Sequence, residues 1–471
     1  MEKFFKLKAY GTKPGTEILA GFTTFFTMAY IIFVNPAMLA STGMNQSGVF
    51  VATCVAAAIG TLLMALLANL PYAQAPGMGL NAFFTYTVCM GMGFVWQEAL
   101  AMVFICSLIA IVLTVTKVRQ SLLLAIPRSL QNAIGGAIGL FIAYIGIKNA
   151  NIIDFSATAA GLTAGDTAVP ELVKFNNGPV LLALFGLVLV IVLLVFKVKG
   201  ALLIGIIAST AIGALLQGAF GVSMAMQLTD IKFDMSAVSS VKEVAFSFFG
   251  KPGLGSLFTD PNRVFLTIIA ILAFTLTDIF DTIGTFIGTG RHSGIFTDKD
   301  EAALKTGSGF KTRIERGLFA DMTATLCGSL LGTSNVTTYV ESSAGIGVGG
   351  RTGLSSLVTG ILLLLCVPLA SVAGIVPASA TAPALIIVGV LMMGSFAHIK
   401  WNDFEEAVPV FFTVIFMVFS YSISNGIAAG FIFYCIVKLC RGKVKEIHPI
   451  LAGTAAVFLI SFILQAIQSV T

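Results

Sequence analysis

Phe274-Thr275-Leu276-Thr277-Asp278-Ile279-Phe280-Asp281-Thr282 places two aspartates inside a long apolar run. A second stretch, Tyr339-Val340-Glu341-Ser342-Ser343-Ala344-Gly345, sets a glutamate in a short, glycine-rich segment. A carboxylate at the centre of a bilayer costs roughly 2.5–3.5 kcal/mol on insertion scales, so such residues normally face a cavity and meet a substrate, an ion or a proton. Around them, the 471 residues are 57% hydrophobic and only 10% charged, against about 25% charged in soluble domains. With a mean hydropathy of +0.97, the chain reads as an all-α polytopic membrane protein. Its apolar stretches are long and continuous rather than alternating, which argues against an outer-membrane barrel.

Windows of about twenty apolar residues mark the spans. In the first half they are Ile18–Ala40, Val49–Leu70, a short one at Gly77–Phe94, Ala99–Thr116, Leu130–Ile147, Pro179–Phe196 and Ala201–Phe220. In the second they are Val264–Gly288, Gly317–Leu331, a short one at Tyr339–Gly349, Gly353–Ala373, Ala380–Phe396, Ala407–Tyr421 and Gly426–Leu439. A further apolar segment, Pro449–Ile467, follows. The organisation is thus a first half over residues 1–226, an outer loop at 227–263, a second half at 264–440, and a tail at 441–471 with its additional helix. Basic residues gather at alternate ends: Lys117, Arg119 and Arg128; Lys197 and Lys199; Arg291, Lys299, Lys305, Lys311, Arg313 and Arg316; Arg351; Lys438, Arg441, Lys443 and Lys445. By positive-inside bias those ends, and the N-terminus, are cytoplasmic.

Each half holds seven spans, an odd number, so the halves must be inverted relative to each other. The third member of each is short and follows irregular polar sequence: Pro71-Tyr-Ala-Gln-Ala-Pro76-Gly-Met-Gly79-Leu-Asn81 and Gly332-Thr-Ser-Asn-Val-Thr-Thr-Tyr-Val-Glu341. Matched interrupted segments in inverted halves point to the central site of a secondary transporter.

Asp278 and Asp281 are spaced i,i+3 and share a helical face. Two carboxyls this close in a low-dielectric medium oppose simultaneous ionisation, which suits proton coupling. Asp278 is the first candidate for substrate and Asp281 for support or proton handling; the alternative is a structural pair held by backbone N–H groups. Glu341 either complements the dipole of its short helix or serves as a second acceptor facing Asp278. Asn81 follows Gly77-Met-Gly79, where backbone can approach a ligand closely, although helix packing would also use it. Phe274, Phe83 and Phe84 could stack on a planar ligand, among 39 phenylalanines in all. Asp321 is expected near the inner end of its span, at the interface. The seven cysteines and three histidines form no metal-ligand spacing, and no metal or cofactor is expected. Gly345-Ile-Gly-Val-Gly-Gly350 lacks the βαβ setting of a dinucleotide site, and no Walker lysine motif supplies ATP hydrolysis. The net charge of +5 is accounted for by basic cytoplasmic loops and calls for no nucleic-acid partner.

The motifs Pro76-Gly-Met-Gly-Leu-Asn81-Ala-Phe-Phe, Thr277-Asp278-Ile-Phe-Asp281-Thr-Ile-Gly-Thr, and Glu341-Ser-Ser-Ala-Gly with Gly-Gly-Arg351-Thr-Gly resemble the nucleobase–cation symporter-2 family, specifically its AzgA-like purine permeases. The resemblance runs from Ala20 to Ala428. It implies fourteen transmembrane segments in two inverted repeats of seven, core and gate domains, short strands opening the third and tenth segments, and a homodimer. It also implies that Asp278 and Glu341 bind the base and that Asn81 and Asp281 matter functionally. Glu341 is followed by Ser342-Ser-Ala-Gly rather than by the Asn-x-Gly of the xanthine, urate and ascorbate branch, which leaves adenine, guanine and hypoxanthine. The reading is a proton-coupled purine-base importer of the cytoplasmic membrane, not an enzyme. Its substrate contacts are Asp278, Glu341, Asn81, Gly79 and Phe274, and its proton-handling groups Asp278, Asp281 and Glu341. The alternatives are sodium coupling, or an anion transporter of the sulfate-permease type on the same fold.

Overall fold

A computed structural model describes residues 2–116, 125–156, 169–223, 236–290, 293–296, 300 and 311–468. Lys117, Arg119, Arg291, His292, Lys299 and Lys305 lie outside these. Among the described residues, nine helices are long and apolar enough to cross a membrane. The chain is a polytopic, largely α-helical membrane protein with a few short strands.

In chain order the first span is α1 (Pro14–Met28) and α2 (Ile31–Ala40), separated by a turn at Ala29–Tyr30. Then come α3 (Gln46–Leu63), β1 (Gln74–Pro76), the short α4 (Met78–Ala82) continuing as a π-helical stretch at Phe83–Gly91, α5 (Trp96–Val115) and α6 (Arg128–Asn149). A hairpin of β2 (Ile153–Ser156) and β3 (Val169–Leu172) leads to α7 (Gly178–Val195) and α8 (Ala201–Phe220). The second half runs α9 (Pro261–Gly290), α10 (Arg313–Leu331), β4 (Val336–Thr338), α11 (Ser342–Val348), α12 (Gly353–Leu365), α13 (Ala378–Met392), α14 (Phe404–Phe419), α15 (Ile423–Cys440) and α16 (Pro449–Gln468).

Local chemistry sets the ends that matter. At the start of α10 the Thr312 hydroxyl accepts from Glu315 N, and Glu315 Oε2 accepts from Thr312 N at 2.9 Å, which satisfies two donors that the helix leaves orphaned. Gly332 closes α10 at φ 91°, a conformation that favours glycine, and the chain then runs extended into β4. The buried Glu17 carboxylate accepts from Arg351 N at 2.8 Å and from Thr352 N and Ser355 N. The Arg351-Thr-Gly motif is therefore the capped start of α12.

The helices pack in two groups. One gathers α1, α3, α5, α10, α11 and α12 around the strand pair β1–β4; the other gathers α6, α7, α8, α13, α14 and α15. α9 belongs with the first through α5 and β4, and meets the second at α15. Within the first group α1 lies against α11, since a Cβ on Gly345 would stand 2.6 Å from Ala20 O.

α16 packs on both α15 and α9. Its start lies near the carboxyl end of α15, where Lys438 Nζ pairs with Glu446 at 2.6 Å and with Glu405 at 3.1 Å. Its Phe458 and Phe462 share a small crevice with Ser424 and Asn425, at the opposite end of α15, and with Leu266 of α9. Leu451, Ala455 and Phe458 are buried, whereas Leu459, Ile460 and Ile463 are exposed, as expected of a helix with one face to protein and one to lipid. Twenty residues reach about 30 Å, the hydrocarbon thickness. A reporter fused after Thr471 is therefore expected on the membrane side opposite to one inserted at 441–447; paired fluorescent-protein and alkaline-phosphatase fusions measure this, and same-side activity would place α16 at the interface instead.

Candidate functional site

Two segments break their helices at membrane depth and pair with each other. β1 and β4 are antiparallel, with Gln74 opposite Thr338, Ala75 opposite Thr337 and Pro76 opposite Val336. The ladder extends through Gly77 N to Asn335 O at 2.9 Å and Tyr339 N to Ala73 O at 3.0 Å. Hydrocarbon offers no partner for exposed backbone, so neighbouring side chains complete both edges. The Thr61 hydroxyl accepts from Gln74 N at 2.9 Å and lies 3.1 Å from Gln74 O. Thr325 donates to Val336 O at 3.0 Å, Ser342 Oγ accepts from Ala73 N at 3.0 Å, and Ser356 donates to Leu70 O and Tyr72 O. Pro76 ends its strand, where its missing N–H costs the ladder least.

Side chains alternate across a strand, and the alternation sorts the polar groups into two faces. Asn335 and Thr337 point toward α9: Asn335 Nδ2 donates to Asp278 Oδ2 at 2.9 Å, and Thr337 lies beside the Asp281 side chain. The Thr325 hydroxyl of α10 is also 3.0 Å from Asp278 Oδ2, so its single proton is shared between the carboxylate and Val336 O. Asp278 is fully buried, and its Oδ1 accepts from no described residue. Asn335 Nδ2 also lies 3.6 Å from Cys106 Sγ of α5.

The other predicted residues surround this front face. Asn81 is fully buried; its Oδ1 accepts from the Ser334 hydroxyl and its Nδ2 donates to Pro76 O at 3.3 Å. It thus ties α4 to the lead-in of β4, one residue from Asn335. Glu341 stands just past β4 at the start of α11, makes no side-chain cap there, and accepts from Tyr30 Oη at 2.6 Å. Phe274 is buried edge-on against Phe83, with centroids 4.6 Å apart. Beside Gly79 the space is filled by Ile138 Cγ2 of α6, 2.5 Å from where a Cβ would stand, so this glycine lets α4 and α6 approach.

Asp321 departs from expectation. It is not at the interface but fully buried, behind the strand pair. Gln74 Nε2 (3.0 Å) and Thr338 Oγ1 (2.6 Å) donate to its Oδ1, and Thr282 Oγ1 (2.8 Å) to its Oδ2. One carboxylate thereby grips both strands and α9, and Thr282 adjoins Asp281. Asp321 and Thr325 lie one helical turn apart on α10, so a single stripe of α10 serves both faces. Hydropathy reads Asp321 as polar in an apolar span; its partners are 17 to 247 residues away, beyond any local pattern. The residues missed by sequence reasoning are these donors, Thr61, Thr325, Asn335, Thr337 and Gln74, and Tyr30. The run Ser334-Asn-Val-Thr-Thr338 was the visible signal, since polar alternation has no place in an apolar helix.

A profile of the permease family matches residues 15–429. The chain belongs to that family, of the nucleobase–cation symporter-2 type. Members of it are transporters rather than enzymes. A putative permease of Methanocaldococcus jannaschii is 44% identical over 463 residues, covering 98% of each chain. An adenine permease of Escherichia coli is 38% identical, covering 98% of this chain and 96% of its own. A guanine/hypoxanthine permease of Bacillus subtilis is 39% identical, covering 98% and 99%. Among solved structures, the transmembrane domain of the cyanobacterial bicarbonate transporter BicA matches with a TM-score of 0.60 at 15% identity, covering 87% of this chain and 97% of its own. That likeness is one of fold.

Within this permease, Asp321→Ala strands the donors of both strands and is expected to cost on the order of 3 kcal/mol. It should lower the thermal midpoint in detergent clearly, and Asp321→Asn, which keeps one acceptor, by less.

Proposed function

We propose that the chain imports purine nucleobases, guanine, hypoxanthine or adenine, by proton symport. The observation that carries the reading is Asp278: a fully buried carboxylate with Oδ2 held by Asn335 and Thr325 and Oδ1 left for a ligand N–H or a proton. Near-full-length similarity to permeases named for adenine and for guanine/hypoxanthine supports the substrate class. Asp278, Glu341, Asn81, Gly79 and Phe274 are the proposed substrate residues, and Asp278, Asp281 and Glu341 the proton-handling ones.

The architecture assigned to this function is fourteen segments in two inverted repeats, residues 1–226 and 264–440, joined by the outer loop 227–263 and followed by the tail 441–471. Antiparallel pairing of the corresponding segments β1 and β4 is what inversion of two like halves would produce, which supports it. The helix group around the strands serves as core, and the group of α6–α8 and α13–α15 as gate. Protonation from outside accompanies base binding, the core moves against the gate by an elevator or rocking motion, and both are released inside. A potential of 100 mV adds about 2.3 kcal/mol per charge moved. The protein is assigned to the cytoplasmic membrane with its N-terminus inside, as a homodimer. Sodium coupling is the alternative for the ion. The shared fold with a bicarbonate transporter keeps an anion as the second substrate reading, but the carboxylates on the front face oppose an anion electrostatically.

Labelled hypoxanthine uptake in cells lacking their own purine permeases tests the reading. Saturable uptake that collapses with a protonophore, and yields to some purines but not to uracil, is expected. Asp278→Asn should reduce it at least 100-fold with membrane levels retained, as loss of a buried charged partner costs roughly 3 kcal/mol or more. Uptake by that variant at the wild-type rate would remove Asp278 from the site, and protonophore-insensitive uptake would remove the proton.

A further inference from the structure

Tyr30 belongs to no motif with an assigned role, yet it is the residue that holds Glu341. The first span, Pro14–Ala40, has a two-residue turn at Ala29–Tyr30, both still right-handed helical, and Tyr30 there meets Glu341 at the start of α11. Tyr30 is fully buried, and its hydroxyl donates to Glu341 Oε1 at 2.6 Å, a length typical of an O–H donor on a carboxylate. The approach is enforced from below. Gly345 of α11 admits Thr24 and the Ala20 carbonyl where a side chain would stand, and Thr27 Oγ1 lies 3.4 Å from Glu341 O. Glu341 makes no cap to its own helix, so helix geometry alone does not orient its side chain.

We infer that Tyr30 is a positioning residue for substrate recognition, holding one oxygen of Glu341 so that the carboxylate presents the other to a ring N–H of the base. The inference rests on the purine-base reading above. A glutamate side chain carries three rotatable bonds, and ordering it on binding costs affinity; the Tyr30 hydrogen bond supplies that order in advance. A tyrosine that only filled space would do so equally well as phenylalanine.

The test is the concentration dependence of labelled hypoxanthine uptake by wild type, Tyr30→Phe and Tyr30→His, each normalised to its membrane level. Tyr30→Phe is expected to raise KM roughly 10- to 100-fold with Vmax within about threefold, the size of a lost hydrogen bond to a charged group. Tyr30→His, which restores a ring N–H donor, should recover part of the affinity. Unchanged KM in Tyr30→Phe, or a fall in Vmax alone, overturns the positioning role while leaving the transport reading intact. Absence of saturable uptake in wild type overturns the reading itself, and this inference with it. Should Tyr30→Phe not reach the membrane, the KM of Tyr30→His decides: near wild type supports a donor at this position, and a rise equal to that of Tyr30→Ala opposes it.

Discussion

Unpaired backbone is what this fold must avoid above all. Two helices stop at membrane depth so that main chain can reach the middle of the protein, and each break frees N–H and C=O groups that lipid cannot satisfy. The chain answers by pairing the breaks with each other, Gln74–Pro76 against Val336–Thr338, and by facing both edges with hydroxyls from α3, α10, α11 and α12. Thr61, Thr325, Ser342 and Ser356 are therefore as necessary to the site as the acids beside it.

Once the pair is satisfied, its two-residue period divides labour. The front carries Asn335 and Thr337 to Asp278 and Asp281; the back carries Thr338, with Gln74 beside it, to Asp321. Any shift of register by one residue would exchange these faces and present valine to the aspartates. The buried carboxylate behind the sheet thus fixes the register that the carboxylates in front require. Thr325 joins both tasks, binding Asp278 with its hydroxyl and the strand edge with the same group.

Contact between the two helix groups is thin, and α16 bridges them by touching α15 and α9 together. The helix that bears Asp278 and Asp281 is consequently braced near its N-terminal end by α16. Glu341 is braced likewise by the first span, through Tyr30.

Much of this was legible in the chain. Continuous hydropathy placed almost every span to within a few residues: Ala201–Phe220 is read identically, and Val264–Gly288 sits inside the observed Pro261–Gly290. Proline and glycine around Gln74-Ala-Pro76, and the polar run before Glu341, marked both breaks. The spacing of Asp278 and Asp281 put them on one face. These features follow from local rules, since helix periodicity, backbone restriction and the cost of charge in lipid all act over a few neighbouring residues. Tertiary structure alone decided that Asp321 lies behind the strands rather than at the interface, that Gly79 packs against Ile138, that Asn81 bonds Ser334 and Pro76, and that Tyr30 holds Glu341. Each depends on a partner from a distant segment, and a hydrogen bond between residues 311 apart leaves no trace in the pattern around either one.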